Sequence, residues 1–227
     1  MILKSFGCSF IFGSELSDAA CVPGKSIPSK TSYAAKLALH LGYNYQCYGR
    51  PGSGNLQIAE QVLDHVVSDT PTLFIIGWTW IDRFDYWGAK PTWYGTNWQT
   101  IMPVNTDSLA RTYYKNLHSQ YRDKLTTLMS IKLVIDTLKQ HDQQFIMTYM
   151  DNLIFETEYH TTPAVINLQN YIKPYMTDFE GVSFLEWSRK NGYPETKAWH
   201  PLEQAHQAGS EYIIKVFDKQ NTNGLAQ

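Results

Sequence analysis

The sequence predicts an α/β fold, a parallel sheet of five strands covered by helices on both faces. Short apolar runs alternate with segments of helical spacing along most of the chain, the pattern of strand–helix–strand units. The run at 72–76, Thr-Leu-Phe-Ile-Ile, is apolar on both faces, as a central parallel strand must be. Two of the runs stop abruptly at glycine, at Gly7 and Gly77, so that the chain turns sharply over one edge of the sheet.

Residues 1–6 are the first strand, and residues 14–30, with Pro23, Gly24 and Pro28, read as a polar loop. Thr31 or Ser32 caps a helix that runs to Leu41 and ends at Gly42. Residues 43–48 alternate as a second strand, and the turn 49–55, Gly-Arg-Pro-Gly-Ser-Gly-Asn, leads into a helix over 56–67. Beyond the strand at 72–76, residues 84–105 read as irregular and crowded with rings. A connection of that length is uncommon without a function, and its rings argue against disorder. A long helix is expected over 108–141, a strand over 144–149, short helices around Pro163 and Pro174, a fifth strand at 182–185 and a closing helix over 201–217.

Composition narrows the function. A length of 227 residues suits one domain with its own core, and the expectation is a single unit over 1–227 with an aromatic insertion at about 84–105. Aromatic residues make up 14 % of the chain against 18 % charged, a balance that suits a ligand- or carbohydrate-handling surface. A net charge of −2 lacks the basic footprint of a nucleic-acid binder. Three cysteines, Cys8, Cys21 and Cys47, are too few and too scattered for a disulfide framework or a metal site. No membrane span or signal segment is evident, and a cytoplasmic protein with no cofactor, no metal and no nucleic-acid or membrane partner is expected.

In parallel sheets ligands sit beyond the carboxyl ends of the strands. Ser9, the turn 52–55, Gly77-Trp78-Thr79 and Asp151 all fall at such ends. Ser9 reads either as a helix cap or as a hydroxyl projecting from a rigid strand end, the setting of a serine nucleophile. His200, followed by Pro201 at the start of the last helix, is the best-placed base among seven histidines. Gly54 through its N–H and Asn55 through its amide are candidate oxyanion donors, and equally a tight turn and a cap.

These residues carry a resemblance. Gly7-Cys8-Ser9-Phe10 resembles the Gly-Asp-Ser-Phe/Leu nucleophile block of the SGNH (GDSL-like) hydrolase superfamily. Gly52-Ser53-Gly54-Asn55 resembles its second block, whose glycine N–H joins the oxyanion hole, and His200-Pro201 resembles its fifth, Asp-x-x-His-Pro. The three blocks keep their order over residues 1 to about 215, and Gly77-Trp78-Thr79-x-x-x-Arg83 looks like a branch of the superfamily common in phage genomes. The resemblance implies a three-layer α/β/α, flavodoxin-like fold and a serine esterase or acyl-transfer enzyme acting on a small-molecule or carbohydrate ester. It implies Ser9 and His200 as catalytic residues and Gly54 as an oxyanion donor.

Three positions depart from the pattern. Cys8 replaces the usual Asp, Thr79 stands where the third block carries its oxyanion Asn, and Lys197 stands three before His200 in place of Asp. Asn55 or the Thr79 hydroxyl is the candidate substitute for the missing Asn, and Glu195 or a backbone carbonyl for the group that orients His200. Trp78, Thr79, Arg83, Trp87 and Trp93 are the expected substrate wall. A binding or assembly protein that keeps the fold without its chemistry is the alternative.

Overall fold

The computed structural model describes residues 1–22, 25–66, 70–92 and 95–222. Strand β1 (Ile2–Gly7) leads into a single turn of helix, α1 (Ser9–Phe12), and a small hairpin, β2 (Ala20–Val22) and β3 (Lys25–Ile27), lies inside the expected polar loop. Helix α2 (Tyr33–Leu41), strand β4 (Asn44–Cys47), helix α3 (Asn55–Leu63) and strand β5 (Thr72–Trp78) follow. After β5 come a second hairpin, β6 (Phe84–Trp87) and β7 (Trp98–Ile101), helices α4 (Ser108–Asn116) and α5 (Gln120–Gln140), and strand β8 (Gln144–Tyr149). Helices α6 (Pro163–Ile172), α7 (Phe184–Lys190) and α8 (Glu203–Thr222) complete the chain.

The central sheet has the order β4-β1-β5-β8, with every pairing parallel. All seven residues of β5 are buried, as its two-faced apolar run requires. Their alternation sorts them into two layers. Leu73 and Ile75 join Leu3 and Ile146 under Leu37 of α2 and Ile213 of α8. Phe74, Ile76 and Trp78 join Phe6 and Met147 under Ile58 and Val62 of α3 and Leu128 and Ile131 of α5. Each large apolar side chain so buried contributes about 1.5–3 kcal/mol.

Three expectations are corrected. Among the described residues the sheet has four strands, because Ser183 accepts the amide of Glu186 at 3.3 Å and turns the apolar run at 182–185 into the start of α7. The helix expected over 108–141 is broken at 117–119, where Ser119 caps α5 by accepting the amide of Arg122 at 3.3 Å. The described part of the ring-rich 84–105 segment forms the β6–β7 hairpin, with Trp87 opposite Trp98 in register.

The strand ends meet around one side chain. A Cβ on Gly7 would lie 2.5 Å from Ile11 Cγ1, one on Gly77 would lie 2.7 Å from the same atom, and one on Gly49 would lie 3.0 Å from Ile11 Cγ2. Gly7 and Gly77 are register partners in adjacent strands, and Gly49 follows β4 on the other side of β1. Three glycines thus form a socket for Ile11 of α1, the helix that begins at Ser9. Gly77→Ala is expected to cost about 1–3 kcal/mol, the range for overpacking, and to cost less in an Ile11→Ala background. Chemical denaturation of the four-member cycle measures this, and purely additive losses would refute the socket.

Candidate active site

Ser9 is the first residue of α1, directly beyond the carboxyl end of β1. Cys8 caps the helix in extended backbone, and Gly13 ends it at φ 75° with its N–H on Ser9 O at 2.9 Å. Ser9 is 5 % exposed, and its hydroxyl lies 3.9 Å from Cys8 Sγ as donor. The next side chain, Phe10, meets the His200 ring edge-on at 5.5 Å and the Trp80 ring at 5.6 Å. Phe10 therefore ties His200 to the turn that bears Ser9, although no hydrogen bond joins Ser9 to His200.

The carboxylate on His200 comes from an unexpected place. His200 Nδ1 is hydrogen-bonded to Glu15 Oε2, and Glu15 lies six residues after Ser9 in the loop that leaves α1. With Nδ1 bound to an acceptor, the proton sits on Nδ1 and Nε2 is left as the basic nitrogen. Thr196 Oγ1 donates to the same Glu15 oxygen at 2.5 Å. The Thr196 hydroxyl first, and then His200, hold the Glu15 carboxyl below the usual carboxylate range. The loop is tied a second time where the amide of Ser17 donates to Glu203 Oε1 at 2.8 Å, in the first turn of α8.

Two strained residues flank this contact. Glu15 has φ 66° and Trp199 has φ 64°, left-handed backbone that costs a non-glycine residue about 1–3 kcal/mol. Glu195, the sequence candidate for orienting His200, does something else: both its oxygens take Arg189, at 2.9 and 3.3 Å. His206 is fully buried, its Nδ1 accepts the amide of Tyr33 at 3.2 Å, and burial pushes its pKa down to about 3, so it is a neutral core residue.

The expected oxyanion donors are engaged elsewhere. Gly54 N–H donates to Asp85 Oδ1 at 2.9 Å. The Asn55 amide clamps the backbone of Thr79, accepting its N–H at 2.8 Å and donating to its carbonyl at 3.1 Å, and it also donates to Thr127 Oγ1 at 3.2 Å. Asp85, on β6, further accepts Gln57 N–H at 2.9 Å and the Thr100 hydroxyl at 2.6 Å. Burial pushes the Asp85 carboxyl up, while these three donors pull it back. Thr79, at the position of the missing Asn, is buried with no protein partner for its hydroxyl.

The expected substrate wall is only partly at the surface. Trp78 is in the core layer under α3 and α5, because the alternation of β5 puts it on the face of Phe74 and Ile76. Thr79 is likewise buried. Arg83 props the 50–54 turn, donating to Ser53 O at 2.9 Å with its guanidinium over the Trp80 ring at 4.8 Å. Trp87 is exposed on the hairpin, edge-on to Trp98, and Trp93 lies outside the described residues. Sequence reasoning missed Glu15, Thr196 and Asp85; for Glu15 the available signal was its place in the loop beyond β1, at the same sheet edge as Ser9.

The Glu15 contacts predict a pH dependence. Its folded pKa is depressed, so its stabilisation is present above the unfolded value of 4.5 and is lost as pH falls through the lower folded value. Glu15 is 45 % exposed, which limits the effect to the ~1 kcal/mol of a surface pair. Thermal melts of wild type and Glu15→Gln are expected to differ at pH 7 and to converge below about pH 4; a constant offset across that range would contradict the pairing.

No protein-family model matches the chain, and no curated protein sequence matches it. Solved structures do. A member of the lipolytic protein G-D-S-L family from Veillonella parvula superposes with a TM-score of 0.53 at 13 % identity, over 96 % of this chain and 98 % of that one. A psychrotrophic esterase from a Pseudoalteromonas species gives 0.55 at 7 % identity, over 97 % and 98 %. An acetyl xylan esterase from the rumen bacterium Butyrivibrio proteoclasticus gives 0.51 at 14 % identity, with 98 % of this chain covering 64 % of that one. The parallel sheet covered by helices on both faces is thus shared with these structures, and the chain has the fold of the SGNH (GDSL-like) hydrolases.

Proposed function

We propose that the chain is a serine esterase of SGNH type. The observation that carries the reading is the carboxylate–imidazole pair Glu15–His200, braced by Phe10 against the turn that bears Ser9. With Nδ1 held by Glu15, Nε2 is the nitrogen that serves Ser9 as general base. Ser9 Oγ attacks the ester carbonyl carbon as its proton passes to His200 Nε2. The tetrahedral oxyanion collapses, the alcohol leaves with that proton, and water, deprotonated by the same nitrogen, releases the acid from acyl-Ser9. The Ser9 N–H and the unpartnered Thr79 hydroxyl are the oxyanion donors of this scheme.

An acylated carbohydrate is the substrate class to test first. Trp80 lies between β5 and the hairpin, Trp87 and Trp98 lie on the hairpin, and one structural relative is an acetyl xylan esterase. A second reading, a binding or assembly protein without turnover, draws on the engagement of Gly54 N–H by Asp85 and on the burial of Ser9.

The test is turnover of p-nitrophenyl acetate and of acetylated xylo-oligosaccharides, with intact-mass detection of a fluorophosphonate adduct. The Pseudoalteromonas esterase is described as inhibited by monoethylphosphonate, which recommends that probe class. Ser9→Ala is expected to abolish the adduct and to lower kcat/KM by about 10³-fold or more. Turnover indifferent to Ser9→Ala would sink the serine mechanism, and no turnover or adduct in the wild type would favour the second reading.

A further inference from the structure

The hydroxyl of Thr196 is saturated. Its oxygen accepts the amides of Ala198 at 3.2 Å and His200 at 3.3 Å, and its hydrogen goes to Glu15 Oε2 at 2.5 Å. A hydroxyl has one hydrogen and two lone pairs. Because both amides can only donate, Glu15 is the sole acceptor for the hydrogen, and the polarity of the contact is fixed. The backbone of Thr196 closes the same turn: its N–H donates to the His200 carbonyl at 2.9 Å, and its carbonyl accepts the amide of Trp199 at 3.0 Å.

His200 is therefore held at three points that trace to one residue: its amide, its carbonyl and, through Glu15, its ring. The left-handed Trp199 sits inside this closed turn, a conformation that persists only where its surroundings over-determine it. Lys197, three before His200, is exposed and makes none of these contacts.

We propose that Thr196 is a positioning residue, which sets the backbone bearing His200 and the carboxylate that orients its ring in one register. The proposal deepens the serine-esterase reading and rests on it for its catalytic consequence, but the geometric claim stands on the turn itself. One threonine four residues before the histidine does by relay what an acid three before it would do directly.

The test uses the full chain carrying ¹⁵N-labelled histidine. The His200 Nδ1–H proton is assigned by its disappearance in His200→Gln. In Thr196→Val, which keeps close to the side-chain volume and the bonds of the Thr196 backbone itself but loses all three hydroxyl contacts, exchange of this proton with water is expected to quicken at least about tenfold, the scale of the charge-assisted bond to Glu15 alone. Thr196→Ser is expected to restore the wild-type rate to within about twofold, since only the hydroxyl matters. In ester turnover Thr196→Val is expected to lower kcat by about tenfold with KM within about twofold, because misorientation weakens the reacting geometry rather than binding. Thr196→Ala, with melting curves on all variants, covers failure of the valine variant to fold. Wild-type exchange in Thr196→Val or Thr196→Ala, or a Thr196→Ser variant as impaired as Thr196→Val, overturns the proposal. If Ser9→Ala leaves turnover intact, the esterase reading falls, and the exchange measurement still decides the role of Thr196.

Discussion

The seating of Ile11 in three glycines is the constraint on which the site depends. A single turn of helix is too short to hold itself in water, so α1 keeps its place through what it packs against. Side chains at Gly7, Gly49 or Gly77 would each occupy the volume of Ile11. Without them the ends of β1 and β5, and the chain leaving β4, come close enough to grip one branched residue from three sides. Ser9 is two residues before Ile11 and Glu15 four after it. The proposed nucleophile and the carboxylate on the proposed base are thus positioned from one anchor, and the glycines that look like mere strand ends are packing requirements.

From that anchor the acid reaches His200 by crossing the chain. The SGNH pattern places Asp three residues before the histidine, where one turn of backbone fixes both. Here the carboxylate lies 185 residues away in sequence, and its geometry must come from tertiary ties. Thr196 supplies one, Ser17 to Glu203 another, and the left-handed Glu15 is what they hold in place. A half-exposed hydrogen-bonded pair alone is too weak to order a loop against about 1 kcal/mol or more of entropy per residue. The Thr196 and His200 contacts share the one Glu15 carboxylate, so those two gain or lose order together.

Much of this was legible in the sequence, and the limits have physical causes. The strand at 144–149 and the fully buried β5 follow from apolar periodicity, the positions of Ser9 and the 52–55 turn from the strands they follow, and that of His200 from the proline before the last helix. The run at 182–185 misled because four apolar-rich residues satisfy strand and helix alike, and Ser183 as a cap decides the outcome. The break at 117–119 lacks proline or glycine, so no residue announces it. Glu195 was nearer in sequence to His200 than Glu15 is, but Arg189, six residues before Glu195, offers a planar fork that takes both oxygens. Contacts such as Glu15–His200 and Asp85–Gly54 join loops whose mutual approach no local pattern encodes.

Asp85 sets the remaining tension in the site. The start of α3 presents amides that favour an anion, and in the SGNH pattern the glycine there serves the oxyanion. In this chain the hairpin delivers the Asp85 carboxyl group to those amides, with the Thr100 hydroxyl as a third donor. The three donors offset only part of the desolvation of this buried carboxyl group, so all of them are engaged in holding it. One N–H cannot also stabilise a developing oxyanion, a contribution worth about 2.7–4 kcal/mol per donor where it operates. The anchoring of the aromatic hairpin and the use of Gly54 as an oxyanion donor are therefore exclusive. Thr79, buried at the third-block position with a hydroxyl that has no protein partner, is the donor the hairpin leaves unclaimed. In the proposed esterase the oxyanion load shifts from Gly54 to Thr79 and the turn at Ser9, and the hairpin becomes a fixed wall of the site.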